Sequence, residues 1–250
     1  MINLLLSLAA GAAVAILVKV LGFSLIAGII PGTIVFLAIF VVLGRRSFMQ
    51  LQAVVQAVQA ELSGMSPTNK KEQAVKKDKA ISLLENALPL GKWQFLMEGE
   101  IHGQIGMIKH LFKDSDGALA SFEKASQRNY FAKAMQASIY FQKKEYSKMG
   151  EAFELAVKHG NKESLMWAAY AWCLTQLKED DKALRVLSRA VEANPSDEKL
   201  KKALSALQND KRLKMSPWEP MWWQLGLENP PMQQPQFMGG GRGRRGFMRR

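Results

Sequence analysis

From Ile2 to Leu43 the chain runs through 42 residues with no acidic side chain and one basic one, Lys19. One helical membrane span needs roughly 20 apolar residues, so a run of this length predicts two. The first is expected over residues 2–18 and the second over residues 24–43, with Lys19 to Phe23 as a tight connection. A lysine is costly at mid-bilayer but can snorkel from a helix end to the headgroups, so Lys19 marks the turn. Pro31 should kink the second span without preventing it. A cleaved leader is the rival reading, but no Lys or Arg precedes residue 19 and a second apolar stretch follows at once. Small residues recur at spacing four, as Ser7, Gly11 and Ala15, then Gly28 and Gly32. That spacing allows close backbone approach, either within an intramolecular hairpin or between two copies through Gly28 and Gly32.

Beyond residue 48 the pattern changes. Apolar residues fall at spacings of three and four, with few β-branched runs, which predicts amphipathic helices to about residue 210. The expected fold class is all-α: a two-span hairpin followed by a short α-solenoid. The clearest unit is SLMWAAYAWCLTQLKEDDKALRVLSRAVEANP, from Ser164 to Pro195. Trp167, Tyr170, Ala171 and Leu174 set a large, large, small, large order in its first half. Ala183, Leu187, Ala190 and Pro195 set small, large and small positions and a helix stop in its second. Leu187 has counterparts at Phe153, Phe122 and Leu84, at spacings of 34, 31 and 38 residues. Each is flanked by alanines: Ala156; Ala118 and Ala125; Ala80 and Ala87. Gly106 and Ala137 occupy the small position of the preceding helices.

On these residues the chain resembles the tetratricopeptide-repeat (TPR) family, over about residues 50–210, in a layout similar to membrane-anchored bacterial members. The resemblance implies antiparallel helix pairs in which a small residue at the crossing lets a large one fill the groove. No helix pair buries its apolar face alone, so neighbouring units must stack. The expected organisation is a transmembrane hairpin over 1–46 and a degenerate first repeat over 47–98. A three-unit region follows over 99–197, divided at about 99–129, 130–163 and 164–197. A capping helix is expected over 198–212, with Ser196 as its N-cap, then a Trp/Pro-rich segment over 213–238 and a disordered Gly/Arg-rich tail over 239–250.

The family resemblance also implies a concave groove, lined by the first helix of each unit, that holds a protein partner. Carried onto this sequence, the groove takes Met107 and His110, then Phe131, Phe141 and Gln142, then Trp172 and Gln176. The lysines and asparagines with which some members clamp a C-terminal carboxylate are missing from the corresponding positions. An apolar groove suits an amphipathic or extended apolar segment, although the same aromatics could instead pack against neighbouring helices. Residues 215–231 carry Trp218, Trp222 and Trp223, more aromatic surface than an idle linker needs. They are expected either to dock back on the repeats or to lie at a bilayer interface.

Charge adds direction. The formal net charge of +12 splits into +3 over residues 1–46, +3 over 47–210 and +6 over 211–250. Arg45 and Arg46 directly follow the second span, so the positive-inside rule puts both termini on the cytoplasmic side, with the bacterial inner membrane as the expected location. The tail arginines Arg242, Arg244, Arg245, Arg249 and Arg250 suit anionic lipid or an acidic protein, and alternatively RNA.

No catalytic signature appears. His102, His110 and His159 share no helix face at metal-ligand spacing, no nucleophile elbow is present, and Gly91 and Lys92 lack the rest of a phosphate loop. The single cysteine, Cys173, excludes an internal disulfide and is expected to be a buried apolar residue. No cofactor, metal site or enzymatic activity is therefore expected. Two readings remain, an adaptor that exchanges protein partners at a membrane and a structural subunit of a larger membrane complex.

Overall fold

The computed structural model describes residues 1–63 and 69–229, with the side chain of Leu25 excepted. Helices joined by turns and loops make up the described residues, with no strand among them. Two long apolar helices come first, α1 (Ile2–Val20) and α2 (Leu25–Leu62). Both are long and apolar enough to cross a membrane. They pack against each other as a hairpin, with Ser24 accepting from Ala27 N–H to cap α2.

The hairpin is sealed by the small residues. A Cβ on Gly11 would lie 2.6 Å from the Gly32 carbonyl oxygen, and one on Gly28 would lie 2.7 Å from that of Ala15. Gly28 and Gly32 therefore face the chain's own first helix, which is the intramolecular arrangement of the two that the spacing allows. The opposite flanks are bare: Leu5, Leu8, Ile16, Ile26, Ile30 and Ile34 are each more than half exposed.

Helix α2 does not stop where the charges begin. It runs unbroken for 38 residues through Pro31, Arg45 and Arg46, about 57 Å at 1.5 Å per residue. Its second half packs with α3 (Lys70–Glu85) and α4 (Met97–Leu111), and Leu51, Val58, Leu84, Met97, Ile101 and Ile105 form one apolar cluster between them. Asn69 caps α3, accepting from Glu72 N–H. A 3-10 turn at Leu88–Lys92 leads into α4.

The array continues as antiparallel pairs: α4 with α5 (Ser115–Lys124), α6 (Tyr130–Gln142) with α7 (Tyr146–His159), and α8 (Ser164–Gln176) with α9 (Asp180–Ala193). Helix α10 (Glu198–Gln208) closes on α8 and α9. The expected packing rule is visible at Gly106, where a Cβ would meet the Phe122 ring at 2.6 Å. Phe122, Phe153 and Leu187 are fully buried, as are the small residues Ala118, Ala156, Ala183 and Ala190. Cys173 is fully buried too, and burial pushes its thiol well above the ordinary range, so it serves as a small apolar residue.

The cap of α10 falls one residue later than expected. Asp197, not Ser196, accepts from the N–H groups of Lys199 and Leu200. A carboxylate satisfies two helix-start donors at once and also meets the positive end of the helix dipole.

Candidate functional site

The first helices of the units, α4, α6, α8 and α10, lie side by side in succession, and the face they form is covered by the chain itself. After α10 the backbone turns at Asp210, which has φ of +54°, and residues 211–229 return along these helices. We call this segment the strap. It contains a 3-10 turn at Ser216–Trp218 and the short helix α11 (Met221–Gln224).

The prolines at 217 and 220 prevent a long helix, so the strap crosses as an irregular run of short turns that leaves backbone carbonyls without helical partners. The repeats satisfy those groups. Lys199 Nζ donates to the Pro217 carbonyl at 2.9 Å, and the Trp218 indole N–H donates to Ser164 Oγ at 3.0 Å. His110 Nε2 lies 3.1 Å from the Leu225 carbonyl, and Gln142 Nε2 donates to the Gly226 carbonyl at 2.7 Å. A carbonyl can only accept, so Nε2 carries the proton of His110.

Apolar anchors accompany these bonds. Trp222 and Leu225 are fully buried, and Leu213, Met215 and Trp218 nearly so. The Trp222 ring meets Trp172 edge-on at 5.1 Å, and Trp172 in turn meets Phe141 at 5.9 Å. Such pairs add ~0.5–1.5 kcal/mol beyond area burial. The Trp222 indole N–H is not stranded, because it donates to Glu228 Oε2 at 2.9 Å.

The seven groove residues read from the sequence thus separate. His110, Gln142 and Trp172 touch the strap directly, and Phe141 stands behind Trp172. Met107 and Phe131 are partly buried against the same core, whereas Gln176 is exposed. Of the two positions expected for the Trp-rich segment, the structure has it docked on the repeats. Sequence reasoning missed the strap's polar contacts at Ser164 and Lys199, which no periodicity marks. The five tail arginines, Arg242, Arg244, Arg245, Arg249 and Arg250, lie outside the described residues.

The site holds little that could do chemistry. Burial lowers the pKa of His110, an effect partly opposed by its bond to the Leu225 carbonyl. Lys133 is buried and forms no ion pair among the described residues. Its ammonium donates to the Phe122 carbonyl at the end of α5 and to Gln136 Oε1, each at 3.0 Å, which makes it a C-terminal helix cap. Among the described residues no group of three or more His, Cys, Asp or Glu side chains gathers as metal ligands would.

The family model of the tetratricopeptide repeat matches residues 165–207, which span α8, α9 and most of α10. No curated protein matches the chain.

Proposed function

We propose that the chain, whose residues 165–207 match the tetratricopeptide-repeat model, is a membrane-anchored scaffold whose groove receives an irregular, tryptophan-bearing protein segment. Protein–protein interaction is the general work of such repeats. The observation that carries the finer reading is the strap. In cis, the strap makes carbonyl hydrogen bonds with His110 and Gln142 and sets an aromatic anchor against Trp172, which supports a groove suited to an irregular chain. A partner segment of the same chemistry would compete for these contacts.

Membrane insertion through α1 and α2 is supported by their length, their bare apolar flanks and the exposed Arg45 and Arg46 that follow the run. By the positive-inside rule the repeats lie on the cytoplasmic side, as at a bacterial inner membrane. Retention of α1 rather than its removal as a leader is supported by its bonds to the rest of the chain. The amino-terminal ammonium donates to the Lys92 carbonyl at 2.8 Å, and Asn3 Nδ2 donates to Ser47 Oγ at 3.0 Å.

The full burial of Trp222 and Leu225 favours a second reading, a structural subunit in which the groove stays closed. Photo-crosslinking residues placed at Gln142 and Gln176 in cells, followed by alkaline extraction of membranes, distinguish the two. The scaffold reading expects an alkali-resistant, uncleaved chain and one partner crosslinked from both positions, with the intramolecular crosslink from Gln142 to residues 213–229 falling as that partner is overexpressed. A crosslink to the strap that no partner diminishes overturns groove competition in favour of the structural subunit. Release by alkali, or a mature chain lacking residues 1–23, overturns the anchor. The tail arginines are proposed to contact anionic lipid or an acidic protein in preference to RNA, because the anchor holds the chain beside lipid.

A further inference from the structure

Between the 3-10 turn and α4, residues Trp93, Gln94, Phe95 and Leu96 form a loop that turns its apolar side chains outward. Trp93 is 46% exposed, Phe95 60% and Leu96 37%. Leu96 adopts φ of +70°, a left-handed conformation that costs a residue with a Cβ ~1–2 kcal/mol. The reversal sends Met97 into the core while Phe95 stays outside. An outward-facing aromatic pair on a strained turn calls for an environment other than water.

The loop is fastened to one level of the hairpin. Asn3 N–H donates to the Trp93 carbonyl at 3.0 Å, and Asn3 Nδ2 donates to Gln94 Oε1 at 3.1 Å. With the bond from the terminal ammonium to Lys92, these fix the loop beside the first turn of α1, where the apolar run begins. Met1, Leu4, Phe40, Trp93, Gln94 and Phe95 line one open, apolar cleft of about 360 Å³. The loop's surface is therefore continuous with the bare flank of the hairpin. Exposed Lys92 directly precedes the loop, and exposed Arg45 and Arg46 directly follow Gly44, where a Cβ would lie 3.7 Å from the Gln94 side chain; basic residues at such a level suit lipid headgroups. Phe48, exposed on α2 roughly 7 Å along the axis from Leu43, lines a second cleft with Gln94, Phe95 and Leu96.

We infer that the Trp93–Leu96 loop is a third membrane contact, an interfacial wedge that seats Trp93, Phe95 and Leu96 in the headgroup and upper acyl region of the leaflet at the open end of the hairpin. This rests on the hairpin spanning the bilayer. The occupant is lipid because the surface continues one that already meets lipid, and because tryptophan beside basic residues is the composition favoured at that depth. The loop supplies no span of its own. It sets the tilt and rotation at which the repeats stand on the membrane.

The test uses the full chain in vesicles of phosphatidylcholine and phosphatidylglycerol, with an environment-sensitive NBD fluorophore on single introduced cysteines. Cys173 is fully buried and is left in place. The variants are Phe95→Cys in the loop, Leu37→Cys on the bare flank of α2 and Ser205→Cys on α10. Quenching by lipids carrying a nitroxide at acyl carbon 5 or carbon 12 reports depth, and aqueous iodide reports exposure to water. At Phe95 the shallow quencher should reduce emission at least twofold and exceed the deep one, with iodide nearly without effect. At Leu37 both lipid quenchers should act, and at Ser205 only iodide. Quenching at Leu37 with iodide alone at Phe95 overturns the wedge and leaves the hairpin standing. Iodide quenching at both overturns the hairpin reading and the wedge with it.

Discussion

Gly226 has φ of +69°, and a Cβ there would lie 2.8 Å from His110 Nε2. Only glycine brings the strap's backbone close enough for the histidine and Gln142 to reach two successive carbonyls. The imidazole that makes this contact is also the titratable group most confined by it. Because burial depresses the pKa of His110, the unfolded chain binds the proton more readily than the native one. Its contribution to stability is then complete above the ordinary histidine value of ~6.5 and is lost as pH falls below it. Strap docking, followed by tryptophan emission in denaturant titrations, should weaken between pH 7.5 and 5 in the native chain. His110→Gln should flatten that slope.

At the scale of elements, the turn within each pair is made by a lysine where glycine would be easiest. Lys113, Lys144 and Lys178 have φ of +61°, +63° and +60°, and each precedes an acidic residue, Asp114, Glu145 or Glu179. These positions recur at 31 and 34 residues, the spacings of Phe122, Phe153 and Leu187. Relief of ~1–2 kcal/mol of left-handed strain exceeds the ~0.5–1 kcal/mol entropic cost of glycine. Lys144→Gly should therefore raise the melting temperature by a few degrees, measured by circular dichroism. The large and small positions of the repeats were legible because packing selects residue type. The turns were not, since lysine carries no left-handed signature. Nor was the length of α2: Gly44 and Arg45 mark a change in the expected solvent, but the backbone hydrogen bonds of a helix continue across it. The groove was legible as a set of positions and illegible in its contents, because an irregular strap has no periodicity to place it.

Over the whole molecule, the strap acts as a staple. It bonds to His110 on α4, Gln142 on α6, Ser164 on α8 and Lys199 on α10. A repeat array is otherwise held only between neighbours and can unfold piecemeal. Trp222→Ala removes the fully buried centre of the staple, a class of change that costs ~3–5 kcal/mol. It should lower the denaturant midpoint and also broaden or split the transition, because distant units lose their shared tie. A shift in midpoint with an unchanged slope would mean that the repeats remain cooperative without it.

The unbroken course of α2 has a consequence for reach. A scaffold on a flexible tether samples a broad hemisphere above its anchor, and a long linker dilutes the local concentration it offers to any one ligand. Here the helix that leaves the apolar run is also the first wall of the repeat array, so the proposed membrane insertion would hold the proposed groove at a set height and heading. Such a scaffold discriminates by geometry before it discriminates by sequence. A ligand held in the same bilayer at the matching height meets the groove at high effective concentration, and one displaced by a few tens of ångströms along the membrane normal does not.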